Sequence, residues 1–319
     1  MIFEKLNEKY LEDVVKLAQA DYYMERMHVA DLLEKDFKIE LTNCLSEILN
    51  SRYGAVALEN GKLKGYIGFL GPWDGHFGNV TGVFSPLHAN SVSGDNKGKI
   101  ASQLFQYASQ EMVADGIFSF AVGTYSHNYD VINSYALNGF GIRCSDAIRK
   151  LEKPLNIELN GNYYFEEISY SDAACLLKLK NSLIRHLIKS PTYFPCSELS
   201  AEEFVSQCNH NKSRFFLARD RSEIIGYIEI TDDGETFISE APDMINICGA
   251  YLDENYRGKN VLPSLLSFVI DTLKKDGFKY LGVDYETINP TALRFWSKYF
   301  DSYTYSFNRR IDERIAIKK

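Results

Sequence analysis

The sequence predicts an α/β (α+β) chain built from two copies of one module in tandem, and three observations lead to that reading. The stretch from Ile245 to Phe300 reads strand, basic turn, helix, strand, helix. The same order occurs earlier at a constant offset of 161 residues, which relates Gly65-Tyr66-Ile67 to Gly226-Tyr227-Ile228, Leu104 to Leu265, Asp115-Gly116 to Asp276-Gly277 and Asn128 to Asn289. The composition, 45% hydrophobic and 13% aromatic over 319 residues, is enough to bury two cores of ordinary size. An offset held across a hairpin, a helix and a second strand marks an internal repeat. The expected division is an N-terminal domain over 1–150, a polar linker over 151–162 and a C-terminal domain over 163–319.

The elements follow in order. Residues 11–49 are helical in pattern and rich in Leu, Glu and Lys. Ala55 to Leu58 and Gly65 to Phe69 alternate as strands around Asn60-Gly61, a strong hairpin turn signal. Val80 to Phe84 reads as a strand, Ala101 to Ala114 as a helix closed by Asp115-Gly116, and Phe118 to Tyr125 as a strand. Asn128 precedes a helix that reaches Leu137. In the second copy, Ser171 to Ile188 and Glu198 to Gln207 are predicted helices. Phe215 to Ala218 and Gly226 to Ile230 form the hairpin, and Ile245 to Leu252 the next strand. Leu262, Leu265, Leu266, Val269, Ile270 and Leu273 then fall at the i, i+3, i+4, i+7 spacing of one buried helical stripe. Tyr280 to Tyr285 is a strand, and Pro290 to Lys298 a helix with Asn289 before it.

Between strand and helix in the second copy stands Tyr256-Arg257-Gly258-Lys259. A helix N-terminus carries about half a positive charge and free N–H groups, so a turn with two cations beside it suits a phosphate ester. The chain as a whole has a net charge of −8 and a pI near 5.4. An anionic ligand must therefore be captured by a local patch, and a nucleic-acid surface is not expected. No apolar run approaches a membrane span of about 20 residues. The N-terminus lacks a signal-peptide layout, and the six cysteines contain no Cys-x-x-Cys pair. This points to reduced thiols in a cytoplasm, with no membrane partner and no metal site.

Several of these stretches together resemble the GNAT N-acetyltransferase superfamily: Tyr256 to Lys259 before the helix, then Asp284 to Pro290, Arg294-Phe295-Trp296 and Arg309 to Arg314. The similarity is closest to proteins with two GNAT modules in one chain. It implies that each module is a mixed, mostly antiparallel sheet flanked by helices, with splayed central strands that admit the pantetheine arm of acetyl-CoA. The implied cofactor-binding residues are Ala250, Tyr251, Leu252, Arg257, Gly258, Lys259, Asn260, Val261, Leu262, Asn289 and Trp296. The turn departs from the family pattern at Asn260, where Gly is usual, and at Leu262, where Gly or Ala is usual. If that position is left-handed, a side chain costs about 1–2 kcal/mol, least for Asn. The first copy has Asn96 to Ala101 at this register, lacks the Arg, and is the more degenerate of the two.

Acetyl transfer to an amine needs a proton acceptor, a donor to the thioester oxygen and a proton for the leaving thiolate. A lysine-like amine with a pKa near 10.4 costs roughly 4.6 kcal/mol to deprotonate at pH 7 if no base assists. Glu286, at the end of the second strand, is the expected base, with Asp284, Glu240 and Asp243 as rivals. The resemblance implies a tyrosine seven residues after the motif Asn as the acid. The first copy has it, Tyr135, and the second has Trp296. The expected function is acetyl transfer from acetyl-CoA to a primary amine, small or peptidic, by direct transfer. A CoA-binding sensor or scaffold without turnover is the alternative. A homodimer is compatible with the sequence.

Overall fold

The computed structural model describes residues 1–75 and 78–318. The chain divides into two compact units: residues 1–146 with 302–319, and residues 147–301.

In the first unit, β1 (Ile2–Lys5) leads to helices α1 (Leu11–His28) and α2 (Lys38–Leu49). The hairpin of β2 (Tyr53–Glu59) and β3 (Lys62–Trp73) follows, then β4 (Gly82–Ser85) and the short β5 (Asn90–Val92). Helix α3 (Lys97–Ala114), β6 (Ser119–Tyr125), α4 (Tyr129–Leu137) and the start of β7 (Gly141–Lys150) complete it up to the division. The Asn60-Gly61 turn closes the β2–β3 hairpin with both residues in the left-handed region, which Asn and Gly tolerate best. The stripe Ala101, Leu104, Phe105, Ala108 and Met112 packs α3 onto the sheet with Ile67, Phe69, Phe120 and Val122. Burying each large apolar side chain in this way contributes about 1.5–3 kcal/mol.

In the second unit the order runs β8 (Tyr164–Ile168), α5 (Leu177–Ile188), α6 (Ala201–Asn211), β9 (Arg214–Asp220) and β10 (Glu223–Thr231). Then come β11 (Met244–Leu252), α7 (Val261–Lys275), β12 (Tyr280–Glu286) and α8 (Pro290–Tyr299). The predicted stripe on α7 is buried at Leu265, Leu266, Val269, Ile270 and Leu273, against Phe216, Ile228, Ile245 and Leu281. Ser200 and Glu203 form a reciprocal cap at the start of α6. Each unit holds a mixed, mostly antiparallel sheet flanked by helices, and among the described residues β4–β6 pair in parallel in the first and β11–β12 in the second.

Two boundaries differ from the expected ones. The segment 151–162 is part of the second unit, because Leu151 is buried in its core and Leu155 packs against it. The chain end lies in the first unit. After the two-residue β13 (Asp301–Ser302), strand β14 (Thr304–Arg310) pairs antiparallel with β6 along its whole length, Thr304 opposite Tyr125 through Arg310 opposite Ser119. Its other edge pairs with β7 at Gly141, Ile142 and Cys144. Phe307 is fully buried there beside Tyr135. No helix among the described residues is long and apolar enough to cross a membrane.

Candidate active site

The site is built where β11 and β12 separate. They pair in parallel from Met244–Tyr280 to Ile247–Val283 and no further. Beyond that point β11 continues to Leu252 and β12 to Glu286, so a slot opens between them. One edge of β11 is bulged: Glu229 of β10 faces Gly249, whereas Ile230 faces Ile247, which leaves Cys248 as the extra residue.

The chain then turns through a short helical segment, Glu254–Tyr256, into α7. Asn260, just before the helix, has φ 56°, the left-handed conformation in which Asn is the mildest choice after Gly. No side chain caps α7. Its first N–H groups are left for a ligand, apart from Pro263, which has none. At the other wall, Asn289 caps α8 by accepting hydrogen bonds from the N–H groups of Thr291 and Ala292, at 3.2 and 3.4 Å. Such a cap is worth about 1 kcal/mol, and here it fixes the helix that faces the slot.

Together these elements enclose a cavity of about 380 Å³. Ten of the eleven expected cofactor-binding residues line it: Ala250, Tyr251, Leu252, Arg257, Gly258, Asn260, Val261, Leu262, Asn289 and Trp296. Leu262 and Pro263 form its wall and do not fill it. Lys259 is outside: its ammonium lies 5.2 Å from the Tyr256 ring centre, and its carbonyl accepts a hydrogen bond from Asn160. Arg257 donates from Nε to the Leu252 carbonyl at 3.3 Å and lies over the Tyr251 ring at 5.7 Å, so the β11 end and the cation are tied together. Trp296 is buried in the core against Phe300 and also lines the cavity.

Several lining residues escaped the sequence reading. Helix α8 turns Thr291, Arg294, Phe295 and Lys298 toward the cavity, and α5 adds Leu183 and His186. His186 Nε2 lies 3.3 Å from Asn289 Oδ1 and 3.2 Å from Thr291 Oγ1. The i, i+3, i+4, i+7 spacing of the α8 set was a readable signal that these four share one face. With Arg257, they give the cavity three cationic side chains, and among the described residues no carboxylate lines it. In a chain of net charge −8 this is a local patch of positive charge.

The two expected catalytic residues belong to different units. Glu286 ends β12, three residues past the last paired position, and is not part of the cavity wall. Tyr135 belongs to the first unit. It is 1% exposed, packed against Phe140 and Phe307, and burial pushes its phenol well above the usual range. The tyrosine spacing after Asn128 is thus met by a core aromatic, as the apolar stripe of that module requires.

The corresponding place in the first unit is closed. β4 and β6 also part after Ser85–Val122, but the turn Leu87–Ala89 fills the gap. Asn90 donates to the Gly123 carbonyl at 2.8 Å, and a Cβ on Gly123 would lie 3.2 Å from the Leu87 nitrogen. At the start of α3, a Cβ on Gly98 would lie 2.5 Å from the Asp130 carbonyl oxygen, so α3 and α4 meet backbone to backbone. Two small spaces remain among the described residues: one of about 70 Å³ lined by Lys97, Tyr125, His127 and Asn128 among others, and one of about 10 Å³ lined by Tyr66, Thr124, Asn128 and Tyr135 among others. The smaller has room for one water molecule, and both are far below the space in the second unit.

Comparison with known proteins agrees with this geometry. Residues 182–301 match the family model described as Acetyltransferase (GNAT) family. No curated protein sequence matches the chain. Among solved structures, a GCN5-related N-acetyltransferase from Sphaerobacter thermophilus is similar at TM-score 0.60 and 11% identity, over 97% of this chain and 95% of that one. An acetyltransferase from the GNAT family of Colwellia psychrerythraea gives TM-score 0.51 at 12% identity, over 98% of this chain and 100% of that one. The glucosamine N-acetyltransferase region of a fungal multi-domain β-N-acetylglucosaminidase gives TM-score 0.54 at 15% identity, over 96% of this chain but 38% of that one. The family match lies on the unit with the open slot, so residues 182–301 are similar to the GNAT acetyltransferase family, and the chain shares the fold of these structures over nearly its whole length.

Proposed function

We propose that the second unit binds acetyl-CoA and transfers its acetyl group directly to a primary amine, with the first unit as a closed copy of the same module. The observation behind this reading is the cavity itself: about 380 Å³, three cations, no lining carboxylate among the described residues, and an uncapped helix start at one end. Arg257 and the first N–H groups of α7 would hold the diphosphate, with Arg294 and Lys298 adding charge. The unpaired edge of β11 from Ala250 to Leu252 offers backbone groups to an extended amide-bearing arm, as a strand partner would. A free N–H on that edge also serves a thioester oxygen as it gains charge.

Direct transfer is favoured over an acyl-enzyme because, among the described residues, no cysteine lines the cavity. Trp296 supplies no proton, so a proton for the leaving sulfur must come from another cavity group. His186, Tyr251, Thr291 and Tyr299 are the protic side chains of the wall. The same Trp296 favours a second reading, a CoA-binding sensor without turnover. A cytoplasmic setting goes with either, supported by six cysteines that are all free thiols.

Calorimetric titration with acetyl-CoA tests the shared premise, and thiol release over a panel of amines separates enzyme from sensor. Arg257→Glu is expected to weaken acetyl-CoA binding at least about tenfold, through lost attraction and added repulsion. Lys97→Glu, at the corresponding turn of the closed module, leaves binding within about twofold. The reverse order would move the site to the first unit.

A further inference from the structure

A partly buried ion pair stands next to the closed end of the slot. Lys180 Nζ of α5 lies 2.8 Å from Glu229 Oε2 of β10, with side chains 19% and 6% exposed. The carboxylate sits directly over Gly249 of β11: a Cβ there would lie 3.0 Å from Glu229 Oε2 and 3.7 Å from Lys180 Nζ. Gly249 is the residue next to Ala250, the innermost β11 residue of the cavity wall, and β11 and β12 rejoin at Ile247–Val283. An arm entering from the α7 end therefore runs out of slot at Gly249. Lys180 stands one helical turn before Leu183 and two before His186, both of which line the cavity.

The surroundings make a purely structural role a poor account of the pair. Buried ion pairs recover their desolvation cost only with good geometry, and apolar residues of similar size often serve stability better. This pair sits at a β-bulge, a feature over-represented beside active sites. Tyr227, two residues before Glu229 and on the same face of β10, has a buried hydroxyl with no hydrogen-bond partner. A buried hydroxyl left unpaired costs about 1–3 kcal/mol, which a polar ligand or water at this spot would remove.

Resting on the acetyl-transfer reading above, we propose that Glu229 is the carboxylate that receives the acceptor amine and its proton, and that Lys180 is the positioning residue that holds it over Gly249. The incoming ammonium gives one proton to Glu229 Oε2. The neutral nitrogen then forms the bond to the thioester carbon, the C–S bond breaks, and the second nitrogen proton leaves with the sulfur as free thiol. The proton on Glu229 returns to solvent, so atoms and charge balance. Glu229, itself outside the cavity wall like Glu286 but set against Gly249 beside Ala250, takes the role first expected of Glu286.

The test uses the full-length protein, acetyl-CoA, and a panel of alkyl, aryl, sugar and peptide primary amines. Glu229→Gln is expected to lower kcat for amine acetylation by about 100-fold or more, while the Kd for acetyl-CoA stays within about threefold. Lys180→Met lowers kcat similarly, and Lys180→Arg restores it to within about tenfold, which a mere packing role for the stem would not require. The double variant Glu229→Gln with Lys180→Met leaves no buried lone charge, so its folded circular dichroism spectrum with lost turnover supports the assignment even where a single variant fails to fold. Glu229→Gln or the double variant with kcat within threefold of wild type overturns the assignment. Wild-type protein that binds acetyl-CoA but acetylates none of the panel also overturns it, and leaves the cofactor site standing. Wild-type protein that does not bind acetyl-CoA overturns the reading beneath it.

Discussion

Asp21 and His88 are two buried groups of the first unit whose titrations oppose each other. Burial lifts the Asp21 carboxyl from its ordinary value of 3.8 to about 6, against the partial relief given by Ser91 and Lys97. Burial also lowers the His88 imidazole from 6.5 to about 4. For Asp21 the folded state binds its proton more tightly than the unfolded state, so acidification between about pH 6 and pH 4 adds stability. For His88 the unfolded state binds the proton more tightly, so acidification over nearly the same range removes stability. The two effects largely offset. Asp21→Asn removes the first and leaves the second, so urea unfolding should show the variant losing roughly 2 kcal/mol more than wild type between pH 7 and pH 4.5. A slope equal to that of wild type would mean that Asp21 titrates normally. At this scale the sequence was partly legible. Asn260, Asn289 and Arg257 could be named because caps and left-handed turns follow from residue type within a few positions. Glu229 could not, since its meaning depends on a lysine 49 residues away and a glycine on the neighbouring strand.

The entry into α7 shows how local chemistry shapes an element. Gly258 at φ 76° and Asn260 at φ 56° bend the chain so that α7 begins with its N–H groups uncapped. Asn260→Val should destabilise the protein by about 1–2 kcal/mol in chemical denaturation, and Asn260→Gly should leave it within about 0.5 kcal/mol. Acetyl-CoA affinity should fall for the valine variant, since the turn would shift the donors. An unchanged affinity would detach the turn from binding. Most helices and central strands were legible as elements, because their apolar periods are strong and their ends carry Gly, Asn and Pro. Strands β1, β5, β7 and β8 were not, being short or partly exposed. Helix α8 was legible as an element, but its cationic face was missed because Arg294 and Lys298 resemble ordinary solvated charges until a wall is seen opposite them.

For the whole molecule, the repeat in the sequence became two units of like element order, one with an open slot and one sealed by Leu87–Ala89 and the α3–α4 contact at Gly98. The destination of the last strand was illegible, since the alternation of Tyr305 and Phe307 says only that one face is buried and not which sheet receives it. A fragment of residues 1–150 lacks β14, so β6 and β7 would expose backbone groups that 304–310 normally satisfy. It should aggregate or remain unfolded in size-exclusion and circular dichroism experiments, and adding a peptide of 302–312 should recover native-like signal; a soluble, folded fragment would show that the inserted strand is dispensable. The same arrangement has a consequence during synthesis. A chain leaving the ribosome completes its second unit at residue 301, while the first, made earlier, still waits for a strand not yet translated. The half that is born first is the half that finishes last, and any holdase that shelters it must stay until residues 304–310 have emerged.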